Sequence, residues 1–127
     1  MKFYVAVTRP AWWDYLRSRN PNEVNFWRPG SREFRAVGAG APFLFKLPRP
    51  QKHIVGGGFF ARHFFLPLSM AWTAFGEGNG APNYSVLRAQ VLKRAYEVRR
   101  HRIQRVPTES DPAIGCIILT NPFFHVA

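Results

Sequence analysis

Pro42-Phe43-Leu44-Phe45-Lys46-Leu47, then His53-Ile54-Val55-Gly56-Gly57-Gly58-Phe59-Phe60-Ala61-Arg62, is the stretch on which the fold turns. Both runs are short, aromatic and β-branched, and Pro48 and Pro50 separate them, so they read as two strands joined by a turn. Three consecutive glycines inside the second run mark a place where the strand bends or another group comes close to its backbone. A barrel corner explains two of the three; an approaching base or sugar-phosphate is the functional alternative at Gly57. Sequence does not separate these.

Working outward, Lys2 to Thr8 (KFYVAVT) reads as a first strand, and Thr8 is placed to cap a short helix over Ala11 to Arg17. Val24 to Trp27 and Glu33 to Val37 read as further extended pieces. Downstream, Ser69 is placed to cap a short helix that Gly76 stops. Asn83 opens one long helix, about residues 84 to 105, with Tyr84, Leu87, Val91, Ala95 and Val98 on one face. Ile114 to Leu119 is the last strand. The expectation is a single α+β domain spanning residues 1–127, with helices inserted between short strands.

Charge is the strongest global signal. Eighteen Lys and Arg face seven Asp and Glu, a formal net charge of +11. A domain so basic repels itself and is usually matched to a polyanion. Fourteen of these cations are Arg, whose planar fork suits phosphate and stacks on bases. A coding bias toward Arg accounts for the choice of cation but not for the scarcity of acids. The long helix carries Arg99, Arg100 and Arg102 on its polar side, either as phosphate contacts or as a solvated face. Arg28, Arg32, Arg35, Lys52 and Arg62 are the other candidate phosphate contacts.

Aromatic residues exceed the needs of one small core. Most must be core, and a few could form a pocket where a base stacks, with Asn25 and Lys46 nearby to read its edge. Little points to catalysis. The four histidines lack metal-ligand spacing, the acids form no close pair, and the lone Cys116 sits in an apolar strand. No cofactor or metal is expected, and no enzyme activity from this chain. No leader and no membrane-spanning run is evident, which leads to the expectation of a cytoplasmic protein.

Five segments together resemble a known pattern: Val24-Asn25-Phe26-Trp27-Arg28-Pro29, Pro42 to Leu47, Ile54 to Phe60, Ala71-Trp72-x-x-Phe75-Gly76-x-x-Asn79-Gly80, and Ile114 to Leu119. They are similar to the N-terminal region of bacterial HNH-type, McrA-like modification-dependent restriction endonucleases. More distantly the layout resembles the PUA-like superfamily, including SRA, EVE and YTH domains. The resemblance implies a small, partly open β-barrel flanked by helices. It implies a pocket drawn from Thr8, Asn25, Phe26, Trp27, Phe45, Lys46 and Gly57. Such a pocket would take a modified base, of the 5-methylcytosine or hydroxymethylcytosine type, flipped from duplex DNA. A linked HNH nuclease would lie downstream, and a homodimer is left open. Two other readings stand beside it: an RNA-binding PUA-like module, and a basic domain that docks a protein partner.

Overall fold

The computed structural model describes residues 2–102 and 110–125. In chain order the elements are β1 (Tyr4–Val7), α1 (Pro10–Arg19), β2 (Glu23–Asn25), β3 (Arg28–Pro29), β4 (Pro42–Lys46), β5 (Ile54–Pro67), α2 (Leu68–Phe75), a 3-10 turn (Gly76–Asn79), α3 (Tyr84–Arg102) and β6 (Ala113–Phe124). One sheet runs β1-β4-β5-β6-β2, with β3 also paired to β6. Only β1 and β4 are parallel. The described strands curl around one core without closing, because β1 and β2 end the path unpaired to each other. No helix among the described residues is long and apolar enough to cross a membrane.

β6 explains why Ile114 to Leu119 reads as an unbroken apolar run. Successive side chains point to opposite faces, and both faces are covered. Ile117 and Leu119 turn into the barrel, against Trp12, Trp13, Phe43, Phe45 and Val55. Ile114, Cys116 and Ile118 turn the other way, against Trp27, Leu68, Ala71, Leu87 and Val91 under α2 and α3. The expected stripe of α3 is therefore the one that packs, with Leu87, Val91 and Ala95 buried. As expected, the Asn83 side chain caps this helix, its Oδ1 accepting from the Val86 N–H at 2.9 Å.

The glycine run resolves on the structural side. Gly56 has φ +149°, and a Cβ there would overlap the Phe123 carbonyl; at Gly57 it would sit 2.6 Å from the Phe43 carbonyl. The groups that approach so closely are the chain's own neighbouring strands, at a bend where β5 shifts register against both β4 and β6.

Several boundaries differ from the sequence reading. β5 continues through His63-Phe64-Phe65-Leu66 as a ribbon with β6. Glu33 to Val37 forms no strand; it packs Phe34 and Val37 into the barrel without joining the sheet. Thr8 caps nothing: its hydroxyl donates back to the Ala6 carbonyl at 2.9 Å, and Arg9 takes the N-cap position with no side-chain bond. Nor does Ser69 cap α2. Its own N–H and hydroxyl donate to Asp111, at 2.8 and 2.5 Å. A carboxylate more than forty residues away does that work, and local sequence cannot show it.

Candidate nucleic-acid interface

The β1–α1 junction brings α1 under α3 and opens a cleft of about 210 Å³ between them. Arg9, Pro10, Ala11 and Trp12 form one wall, and Gln90, Lys93, Arg94 and Glu97 the other. The Arg9 guanidinium lies 3.6 Å from the centroid of the Trp27 ring. Trp27 is 2% exposed, so the cation sits on a fixed, dry aromatic face. Among the described residues no carboxylate comes within ion-pair distance of Arg9. Glu97 pairs instead with Arg94, at 3.4 Å.

The electrostatics are correspondingly uneven. Burial, reinforced by repulsion from Arg94 and only partly relieved by Glu97, lowers the Arg9 pKa to about 10. Such a lowering means that the charged form is held in an environment that disfavours it. Pro10 occupies the first turn of α1, so the helix also turns its positive end toward the cleft. Three cations, a helix N-terminus and one already-paired acid make a place that an anion would relieve.

A second concavity lies beside β3 and the β5–β6 ribbon, about 670 Å³, lined by residues that include Arg35, Arg62, His63 and Phe65. Arg28 lies over the Phe34 ring at 5.6 Å and donates to the Arg32 carbonyl at 3.1 Å. Four of the cations singled out in the sequence, Arg28, Arg32, Arg35 and Arg62, thus gather in one region. Lys52 stands apart in the β4–β5 turn at φ +54°. The side chains of Arg99, Arg100 and Arg102 lie outside the described residues.

The seven residues expected to line a base pocket do not come together as one open pocket. Consecutive residues of an extended chain face opposite ways. Phe45 points into the barrel and is fully buried, whereas Lys46 and Gly57 lie on the sheet's outer face. Phe26 packs in the barrel against Trp12 and Phe43, and Trp27 packs in the helical layer. Thr8, Asn25, Trp27 and Phe45 are each at most 2% exposed. Asn25 and Trp27 have structural partners. The Asn25 Nδ2 donates to the Asn79 Oδ1 and the Trp27 indole N–H to the Asn79 carbonyl, both at 2.9 Å. Asn79 in turn donates to the Ala71 and Gly76 carbonyls, tying α2 and its following turn to β2. Asn25 also opposes the rise that burial imposes on the Cys116 thiol.

Sequence reasoning missed Arg9, Lys93 and Arg94 as a group. One local signal was available: an Arg placed before a helix-opening Pro, where a Ser, Thr, Asp or Asn would cap. The stacking on Trp27 spans eighteen residues of chain, and no spacing rule exposes it.

No protein-family model and no curated protein matches the chain. Solved structures do. The crystal structure of ASCH from Zymomonas mobilis aligns with TM-score 0.58 at 13% identity, covering 96% of this chain and 72% of that one. Two point mutants of the same protein align with TM-scores of 0.53 and 0.51, each at 12% identity, over 98% and 94% of this chain. A likeness at such identities is one of fold. The chain has a PUA-like α+β fold, a partly open barrel flanked by helices.

Proposed function

We propose that this chain is a nucleic-acid-binding module that grips the phosphate backbone at the cleft between α1 and α3. The observation that carries the reading is Arg9, desolvated on Trp27, crowded by Arg94 and left without a carboxylate of its own among the described residues. A phosphate seated there accepts from the guanidinium and from Lys93, offsets the cost of holding Arg9 charged, and stabilises the folded chain by mass action. The net charge of +11 draws the polyanion in and makes affinity fall steeply with salt. The PUA-like fold is compatible with such a role but does not specify the ligand.

Binding alone is proposed, with no chemistry on the bound strand. Among the described residues no group of three His, Cys, Asp or Glu gathers to hold a metal ion. The finer expectation, a modified base flipped out of duplex DNA for a linked HNH nuclease, rests on sequence resemblance alone. It enters only as one arm of the test.

That test is a titration at fixed salt with plain duplex DNA, the same duplex carrying 5-methylcytosine, an RNA hairpin and a single strand. Nanomolar-to-micromolar binding that weakens with salt, and that Arg9→Gln with Lys93→Gln reduces on every probe, supports the reading. Binding to none of the four would overturn it.

A further inference from the structure

We propose that the groove beside β3, between the Glu33–Arg35 segment and the β5–β6 ribbon, is a second contact site, one that takes an unpaired nucleic-acid strand. The inference rests on the nucleic-acid reading above, but on different residues. The Phe65 ring is 38% exposed on the ribbon, although an aromatic of its size is ordinarily covered. His63 steadies it edge-on, with ring centroids 4.9 Å apart and planes at 72°. The floor beneath is kept low by Gly115, where a Cβ would already touch Phe65 and His63 at 3.5 and 3.6 Å.

Charge lines the groove. Arg62 is exposed and lies over Phe64 at 5.8 Å, and Arg28 lies over Phe34. The Arg35 side chain is 83% exposed, and its only partner among the described residues is the Glu33 carboxylate, itself 53% exposed. An exposed pair of that kind exchanges readily for a phosphate. Burial lowers the pKa of Arg28, with Arg32 adding to the effect.

The imidazole of His63 is anchored to β6. Its Nδ1 lies 2.9 Å from the Cys116 carbonyl, so in the neutral ring Nδ1 carries the proton and Nε2 is left as an acceptor. Nε2 is buried and has no partner among the described residues. An open aromatic face and flanking guanidiniums match the base and phosphate of one exposed nucleotide. A duplex keeps its base faces stacked inside and presents none of them to Phe65. The unpaired strand is therefore the favoured occupant.

The test compares a short labelled single strand with a hairpin duplex on the full chain, by anisotropy at several salt concentrations. Phe65→Ala is expected to weaken the single strand about tenfold, as the loss of one stacked base does, with the salt slope and the hairpin affinity unchanged. Phe65→Tyr keeps the affinity. Arg35→Gln with Arg62→Gln weakens the single strand and flattens its slope by about 1.4. In the unmutated chain, bound single strand should shield Arg35 and Arg62 from a guanidinium-modifying dicarbonyl reagent, which needs no variant to fold. If Arg9→Gln weakens the single strand while the Phe65 and Arg35/Arg62 variants leave it unchanged and the reagent reaches both arginines equally, the groove is a bystander and the inference fails alone. If the unmutated chain binds neither probe, the nucleic-acid reading fails and takes this one with it.

Discussion

Arg9 stacks on Trp27 at 3.6 Å, and that one contact joins the β1–α1 junction to the helical layer beneath α3. It places a positive charge where burial and Arg94 both disfavour it. Structures that tolerate such an arrangement in the free state commonly do so because a ligand relieves it.

Replacing Arg9 therefore has two opposite effects. Arg9→Met keeps the length and the apolar contact with Trp27 while removing the charge. The free protein should become more stable, on the order of 1 kcal/mol, once the shift is discounted for the partial exposure of the group. Nucleic-acid affinity should fall and its salt slope flatten by about one. Thermal melts and titrations of the same preparation check both. The pH sign is fixed as well. The folded pKa of about 10 lies below the ordinary arginine range. The penalty is thus fully present below about pH 10 and is relieved as pH rises from there toward the ordinary arginine range. At neutral pH, then, the variant shows its whole stabilisation.

Trp27 separates the pocket expectation from the observed packing. Its ring is 2% exposed and its indole N–H is bonded to the Asn79 carbonyl. Trp27→Ala should cost about 3–5 kcal/mol of stability, and Trp27→Phe about 1–3 kcal/mol through the lost bond. Denaturant melts measure this. A melt unchanged by Trp27→Ala would contradict the packing described above.

Asn79 is the polar centre of the helical layer. Asn79→Ala removes bonds to Asn25, Ala71 and Gly76 together, leaving buried groups unmet. A loss of roughly 3 kcal/mol is expected from the desolvation of those groups, with α2 exchanging its amide hydrogens sooner than β5 in a hydrogen-exchange experiment.

Asp111 gives the acid limb of the pH profile. Hydrogen bonds from the Ser69 hydroxyl and N–H hold its pKa below the ordinary 3.8. A carboxylate lowered in the folded state stabilises it above the ordinary value, and the contribution is lost as pH falls through the lowered one. Asp111→Asn should therefore lower the melting temperature at neutral pH and close the gap to the unmutated chain as pH drops below 3.8. A gap that stays constant would mean the carboxylate charge contributes nothing to capping α2.

What could be read from sequence follows the range of the forces involved. β4, β5, β6 and the packing face of α3 were legible because side-chain period and turn residues are local. The Glu33–Val37 segment shows the limit: its residues suit a strand, yet Phe34 and Val37 reach the core with no ladder partner. Thr8 and Ser69 had capping chemistry at the right places, and longer-range partners took those roles away. The basic character was plain, but which cations converge was not. Arg28, Arg32, Arg35 and Arg62 meet only when β3 crosses β6, and Arg9 meets Lys93 and Arg94 only when α3 folds over α1. The expected base pocket took neighbours in sequence for neighbours in space, which the alternation of an extended chain forbids for Phe45 and Lys46.

The central claim, that the α1–α3 cleft holds a nucleic-acid phosphate, is tested most directly by the salt dependence of binding in the unmutated chain and in the Arg9→Gln/Lys93→Gln double variant. The account predicts weaker binding by the variant on every probe, with a slope shallower by about two. Equal affinity and equal slope for the two proteins would contradict it.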